Sequence, residues 1–156
     1  MTPAVQLAKK TGIAHTVHAY EHDPSVTAYG DEAVDKLGLD PARVFKTLVV
    51  ATDAGVLAVA VLPVPCKLSF KAVAAALGAK KAAMAEPAAV TRATGYVLGG
   101  VSPMGQKKRL PMVIDDSARS LATIFVSAGR RGLEIELAPD DLAALTGGRF
   151  AAIAVE

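Results

Sequence analysis

The sequence predicts an α+β fold: one domain, residues 1–156, in which a mixed, mostly antiparallel sheet is flanked by helices. Runs of β-branched residues alternate with short Ala-rich segments of helical character, and Gly or Pro punctuates most junctions. The chain has 156 residues, 52% of them hydrophobic, with no repeat, low-complexity tract or linker to divide it.

Thr2 followed by Pro3 has the pattern of a helix cap and first helical residue, with Gly12 as the stop. From His15 to Tyr20 a strand is expected, placing Thr16, His18 and Tyr20 on one face. Gly30 to Leu37 reads as a helix closed by Gly38. Val44 to Val50 and Val56 to Leu62 form a buried hairpin turned at Asp53-Ala54-Gly55. This apolar stretch is long enough to raise the question of a membrane span, but Lys46 and the turn interrupt it.

Two helices follow, Ser69 to Leu77 ended by Gly78, and Glu86 to Thr91 with Pro87 as its second residue. Strands are then expected at Tyr96 to Leu98, Met112 to Ile114, Thr123 to Val126 and Leu133 to Leu137. A helix from Pro139 to Leu145 and a last strand near Phe150 to Val155 complete the chain.

Composition narrows the function classes. Tryptophan is absent and aromatics make up 4%, so the core must be built from Ala, Val, Leu and Ile. A net charge of +2 does not announce a nucleic-acid binder, so any RNA contact is local. A single cysteine, Cys66, rules out an internal disulfide, and the first residues lack the apolar stretch of a signal peptide, which makes the cytoplasm the expected compartment.

Lys46 sits among strand-like apolar neighbours, where an unpaired ammonium is costly; it must snorkel off a strand end or stand at a cleft mouth holding a phosphate or carboxylate. Leu98 to Gly105 and Ser127 to Gly132 are glycine-bearing loops after strands, suited either to backbone approach to a ligand or simply to positive φ. Neither matches a dinucleotide or P-loop pattern. His15 and His18 alternate across a strand and there is no HExxH pattern, so no metal is expected; Cys66 has no evident base beside it. Gln106-Lys107-Lys108-Arg109 is a solvated charged turn or a guide for a phosphate backbone.

Taken in order, Tyr20-Glu21-His22-Asp23, Val44-Phe45-Lys46-Thr47-Leu48, Leu77-Gly78-Ala79-Lys80-Lys81, Thr94-Gly95-Tyr96, Gly99-Gly100-Val101-Ser102-Pro103, Gly105 to Pro111 and Arg131-Gly132-Leu133-Glu134-Ile135 resemble the YbaK/EbsC family of Cys-tRNA(Pro) deacylases. The resemblance implies a free-standing relative of the editing domain of bacterial prolyl-tRNA synthetases, acting on the acceptor end of tRNA(Pro) mischarged with cysteine. It implies prolyl-tRNA synthetase as partner and no cofactor. Lys46 would be central, with Gly99 and Gly100 facing the ester carbonyl. Tyr20, Tyr29 and Thr47 would contact substrate, Ser127, Gly129 and Glu134 would form the opposite wall, and Lys107, Lys108 and Arg109 would touch tRNA. Where the family has an aspartate, this chain has Glu134. The attacking group would be the substrate's own thiol. Two other readings stay open: a deacylase for another mischarged tRNA such as Ala-tRNA(Pro), and a noncatalytic module binding a synthetase or tRNA.

Overall fold

A computed structural model describes all 156 residues. Helix α1 (Pro3–Thr11) starts where Thr2 Oγ1 accepts the Val5 N–H at 3.3 Å, and Gly12, at φ +72°, ends it. The same hydroxyl donates to the Ala128 carbonyl, tying α1 to a later strand. Strand β1 (His15–Ala19) leads through a loop to α2 (Tyr29–Leu37). A short 3-10 turn, Pro41–Arg43, precedes the hairpin of β2 (Phe45–Thr52) and β3 (Leu57–Pro63), paired from Phe45 opposite Pro63 to Ala51 opposite Leu57. Then come β4 (Lys67–Leu68), α3 (Phe70–Ala76), β5 (Ala82–Met84), α4 (Pro87–Thr94) and β6 (Met112–Asp115). The chain closes with β7 (Ile124–Arg130), β8 (Leu133–Leu137), α5 (Pro139–Thr146), β9 (Arg149–Ala151) and β10 (Ala154–Val155).

The strands form a five-stranded sheet in the order β5-β2-β3-β6-β9, a three-stranded sheet β1-β8-β7 and a small β10-β4 pair. Only β3–β6 and β6–β9 are parallel, so the expected α+β fold with mixed, mostly antiparallel pairing and flanking helices is what forms. Apolar faces of the two larger sheets meet in one core, with Phe45, Val49, Val59 and Val61 from one and Ile124, Val126, Ile135 and Leu137 from the other. Each such side chain, fully buried, contributes about 1.5–3 kcal/mol by leaving water. A smaller cluster of Ala60, Val73, Val113 and Ile153 seats α3 on the opposite face of the five-stranded sheet.

Three expectations are corrected. Tyr96 to Leu98 is no strand: α4 runs on to Thr94, and Gly95 at φ +80° turns the chain. Tyr96 then plugs into the core, donating its hydroxyl to the Met104 carbonyl at 2.6 Å, while Val97 and Leu98 face solvent with no strand beside them. The terminal strand is broken in two because the Asp115 carboxylate accepts the N–H groups of Ile153 and Ala154, at 3.0 and 2.9 Å, where a ladder would need them. The short strands β4 and β5 were not anticipated. No helix is long and apolar enough to cross a membrane.

Candidate active site

The two sheets touch at a fork. Val44, just before β2, makes a parallel bridge to Phe125 of β7. Arg43 secures the junction, its guanidinium 5.0 Å from the Phe125 ring centre, with Nη2 donating to Thr123 Oγ1 at 2.5 Å and paired with Glu136 at 3.4 Å. Beyond the bridge the strands part. On its outer edge β2 is paired with β5 only from Val50 to Thr52, so the edge from Phe45 to Leu48 opens into a cavity of about 340 Å³. Val44 to Leu48 form one side; Tyr20, Ser127, Arg130 and Glu134 form the wall from the other sheet. Ala28 to Asp31, Val64, the Leu98-Gly99 turn and Val101 supply the rest.

Lys46 brings the cavity its cation. Nζ donates to the Cys66 carbonyl at 2.6 Å, and burial pulls the ammonium below the usual lysine range against the opposing pull of Cys66 and Asp31. The neighbouring Thr47 Oγ1 is buried and has no hydrogen-bond partner. The amine thus leaves the strand for the cavity lining, where its partner is a backbone carbonyl. Cys66 itself does not line the cavity.

Glu134 sits on β8 between His18 of β1 and Ser127 of β7, its neighbours in register. It is 7% exposed, and burial alone pushes its carboxyl up to about 8. Tyr20 follows β1 and donates its N–H to the Gly132 carbonyl at 2.9 Å; burial, then the nearby Glu134, raises its phenol to about 12. Ser127 Oγ accepts the Gly129 N–H at 3.2 Å across a β-bulge between Ser127 and Arg130, which sends Arg130 to the cavity.

Tyr29 is held from two sides. The Arg131 guanidinium stacks 4.6 Å from its ring centre, and the His22 ring lies 5.9 Å away. His22 Nδ1 is 2.6 Å from Glu32 Oε1, and the Asp23 N–H donates to Glu32 Oε2 at 2.9 Å; the hydrogen bond with His22 holds the Glu32 carboxyl below its usual range. Arg131 also donates to the Leu98 carbonyl at 2.8 Å, so the same side chain fixes both the Gly99 turn and Tyr29.

The two glycines differ. Gly99 lines the cavity, and no backbone carbonyl takes its N–H. Gly100 lies outside the lining, its N–H donates to the Val97 carbonyl at 3.0 Å, and a Cβ there would stand 2.9 Å from Arg130 Cα. Of the pair, only Gly99 both lines the cavity and has an N–H without a backbone partner. Gly129 also stands behind the wall, packed against Tyr96.

Lys107 and Lys108 donate their N–H groups to the carbonyls of Thr94 and Ala93 at the end of α4. Lys108 and Arg109 line a separate cavity of about 220 Å³ with Leu7 and Thr146. The histidines are dispersed: His15 Nδ1 meets the Ile13 carbonyl, His18 meets Glu136 and His22 meets Glu32. The sequence alone does not point to Asp31 or Val64 of the lining. Arg130 falls in the glycine loop expected over Ser127 to Gly132, but Ser127 to Arg130 are the bulged end of β7 and only Arg131-Gly132 form the turn; nothing in the sequence marks Asp31.

Residues 22–145 match a family model described as "Aminoacyl-tRNA editing domain". The chain belongs to the aminoacyl-tRNA editing domain family. The matched span holds every cavity residue except Tyr20. Over 123 residues the editing domain is 41% identical to "Putative Cys-tRNA(Pro)/Cys-tRNA(Cys) deacylase EbsC" of Enterococcus faecalis, covering 79% of this chain and 75% of that one. It is 34% identical to a proline–tRNA ligase of Shouchella clausii, where 70% of this chain matches 21% of the larger enzyme. The solved structure of "a putative trans-editing enzyme for prolyl tRNA synthetase" superposes with a TM-score of 0.83 at 22% identity, over 100% of this chain and 99% of that one, a likeness of fold.

Proposed function

We propose that this editing domain deacylates tRNA(Pro) mischarged with cysteine, acting in trans to the synthetase. The observation that carries this is the cavity's chemistry: a lysine ammonium and an unengaged Gly99 amide line it, while no histidine and no cysteine does. Ser127 is the wall's aliphatic hydroxyl, and its Oγ is hydrogen-bonded to the Gly129 N–H and to no histidine or carboxylate that would activate it as a nucleophile. A site so made positions and polarises an ester that is already activated. The nucleophile then comes with the substrate.

In this scheme the terminal ribose and phosphate sit against Lys46, and the ester carbonyl oxygen meets the Gly99 N–H. The cysteine sulfur bonds to the carbonyl carbon, the bond to the ribose oxygen breaks, and cysteine leaves as a thiolactone that water opens. Proline and alanine have no thiol, so discrimination is chemical. Lys107, Lys108 and Arg109 guide the acceptor strand, and prolyl-tRNA synthetase supplies tRNA(Pro), a role supported by the 34% identity to part of such an enzyme.

Deacylation of Cys-tRNA(Pro), Ala-tRNA(Pro) and Pro-tRNA(Pro) by wild type and Lys46→Ala tests this. Release of cysteine alone, lost in the variant, is the expected result. Hydrolysis of Ala-tRNA(Pro) instead would replace the substrate, and binding without release would make the domain a noncatalytic module.

A further inference from the structure

Thr47 Oγ1 is a buried hydroxyl of the cavity with no hydrogen-bond partner, and the Glu134 carboxyl of the facing wall is shifted by burial alone, with no charged or hydrogen-bonded neighbour contributing. An unsatisfied buried hydroxyl costs about 1–3 kcal/mol, so Thr47 is poised for a partner from a ligand. Glu134 differs from the other acid of the lining, Asp31, which is exposed and lies near the Lys46 charge. Glu136, two residues on along the same strand, is matched by His18, Thr123 and Arg43. Glu134 alone faces the cavity unmatched.

We propose that Glu134 is the proton carrier of the deacylation put forward above, on which this inference rests: its carboxylate takes the proton of the substrate thiol and returns it to the departing ribose oxygen. The balance closes without any other reactant. As S–H gives its proton to Glu134, the sulfur bonds to the carbonyl carbon. The carbon–ribose oxygen bond breaks with its electron pair on oxygen, and that oxygen recovers the proton from Glu134.

Burial raises the carboxyl to about 8, close to about 8.5 for a free thiol, so uptake of the thiol proton is nearly even, and its return to the more basic departing ribose oxygen is downhill. The ionisable groups around it are His18 and Tyr20 from β1 and its end, Arg130 from β7, Lys46 from β2 and Asp31 from α2. His18 is held by Glu136 and Lys46 by the Cys66 carbonyl, which leaves Glu134 free to cycle. Glutamate is one methylene longer than aspartate, and it lines the cavity from β8.

Single-turnover release of cysteine from Cys-tRNA(Pro), corrected for spontaneous hydrolysis, is to be followed from pH 6 to 9.5 for wild type, Glu134→Gln and Glu134→Asp. Glutamine mimics the protonated carboxyl in shape and charge, so the fold is retained. The expected result is a loss of about 100-fold at pH 7 in Glu134→Gln that closes as the substrate thiol ionises by itself above about 8.5, with Glu134→Asp restoring the wild-type pH slope. A loss equal at every pH, or none, would overturn the proton-carrier role while leaving the proposed function standing. Wild type that releases no cysteine at any pH would end both.

Discussion

Gly99 stands so close to Tyr29 that a methyl group on its Cα would lie 2.5 Å from Tyr29 Cε2, and its backbone has φ of +84°. The same methyl would sit 2.7 Å from Arg131 Nε, the group stacked on the Tyr29 ring. The turn at the cavity edge is therefore packed against the residue that begins α2.

Gly99→Ala is expected to lower deacylation at least tenfold and to cost about 1 kcal/mol of stability from the positive φ alone. Because the clash is with side chains, the Gly99→Ala/Tyr29→Ala pair should lose less activity than the two single losses combined. A double-mutant cycle on kcat/KM measures that coupling.

Lys46→Ala should reduce kcat/KM by about 100- to 1000-fold, the range for removing one polarising group from a preorganised site. Lys46→Met keeps the aliphatic stem and should match the alanine variant in rate while keeping a higher Tm. Equal Tm values for the two would show that the stem contributes nothing to packing.

Glu134 also predicts how stability responds to pH. Its carboxyl ionises near 8 in the folded chain and near the ordinary value when unfolded, so the folded state binds the proton more tightly. Its contribution is present in full below about 4.5 and is lost as pH rises toward 8. Glu134→Gln should therefore gain on wild type across that window, by a few kcal/mol at its upper end, at about 1.36 kcal/mol per unit. Urea unfolding at pH 5, 6.5 and 8 checks the trend.

Tyr96→Phe removes a hydroxyl that serves the buried Met104 carbonyl and leaves that oxygen unmatched. A loss of about 1–3 kcal/mol in chemical denaturation is expected, with KM for charged tRNA unchanged.

Lys107→Ala and Lys108→Ala should weaken tRNA binding without changing single-turnover release at saturating enzyme. If each meets one phosphate, each should lower the slope of log affinity against log salt by about one. Binding measured from 50 to 200 mM salt reads this directly.

The fold was legible where periodicity and punctuation agreed. Pro3 and Gly12 bracket α1, and the β-branched run on either side of Asp53-Ala54-Gly55 forms the β2–β3 hairpin. Tyr96-Val97-Leu98 has strand composition, but its fate is decided by the absence of a neighbouring strand and by the core space that takes the Tyr96 ring. Neither is local information. Likewise Lys46 was conspicuous from its flanks, whereas the unusual state of Glu134 depends on burial between sheets whose strands are far apart in sequence. Asp31 enters the cavity only because α2 folds over it.

Since the cavity opens between two sheets and lies inside neither, its breadth can be retuned without breaking one rung of either ladder. In the proposed scheme the cation on β2 and the amide at Gly99 would grip what every charged tRNA shares, while Ser127 on β7 and Glu134 on β8 would meet the aminoacyl group. The two sides belong to different sheets, so the gap between them is set by how the sheets pack and by no hydrogen-bonded ladder.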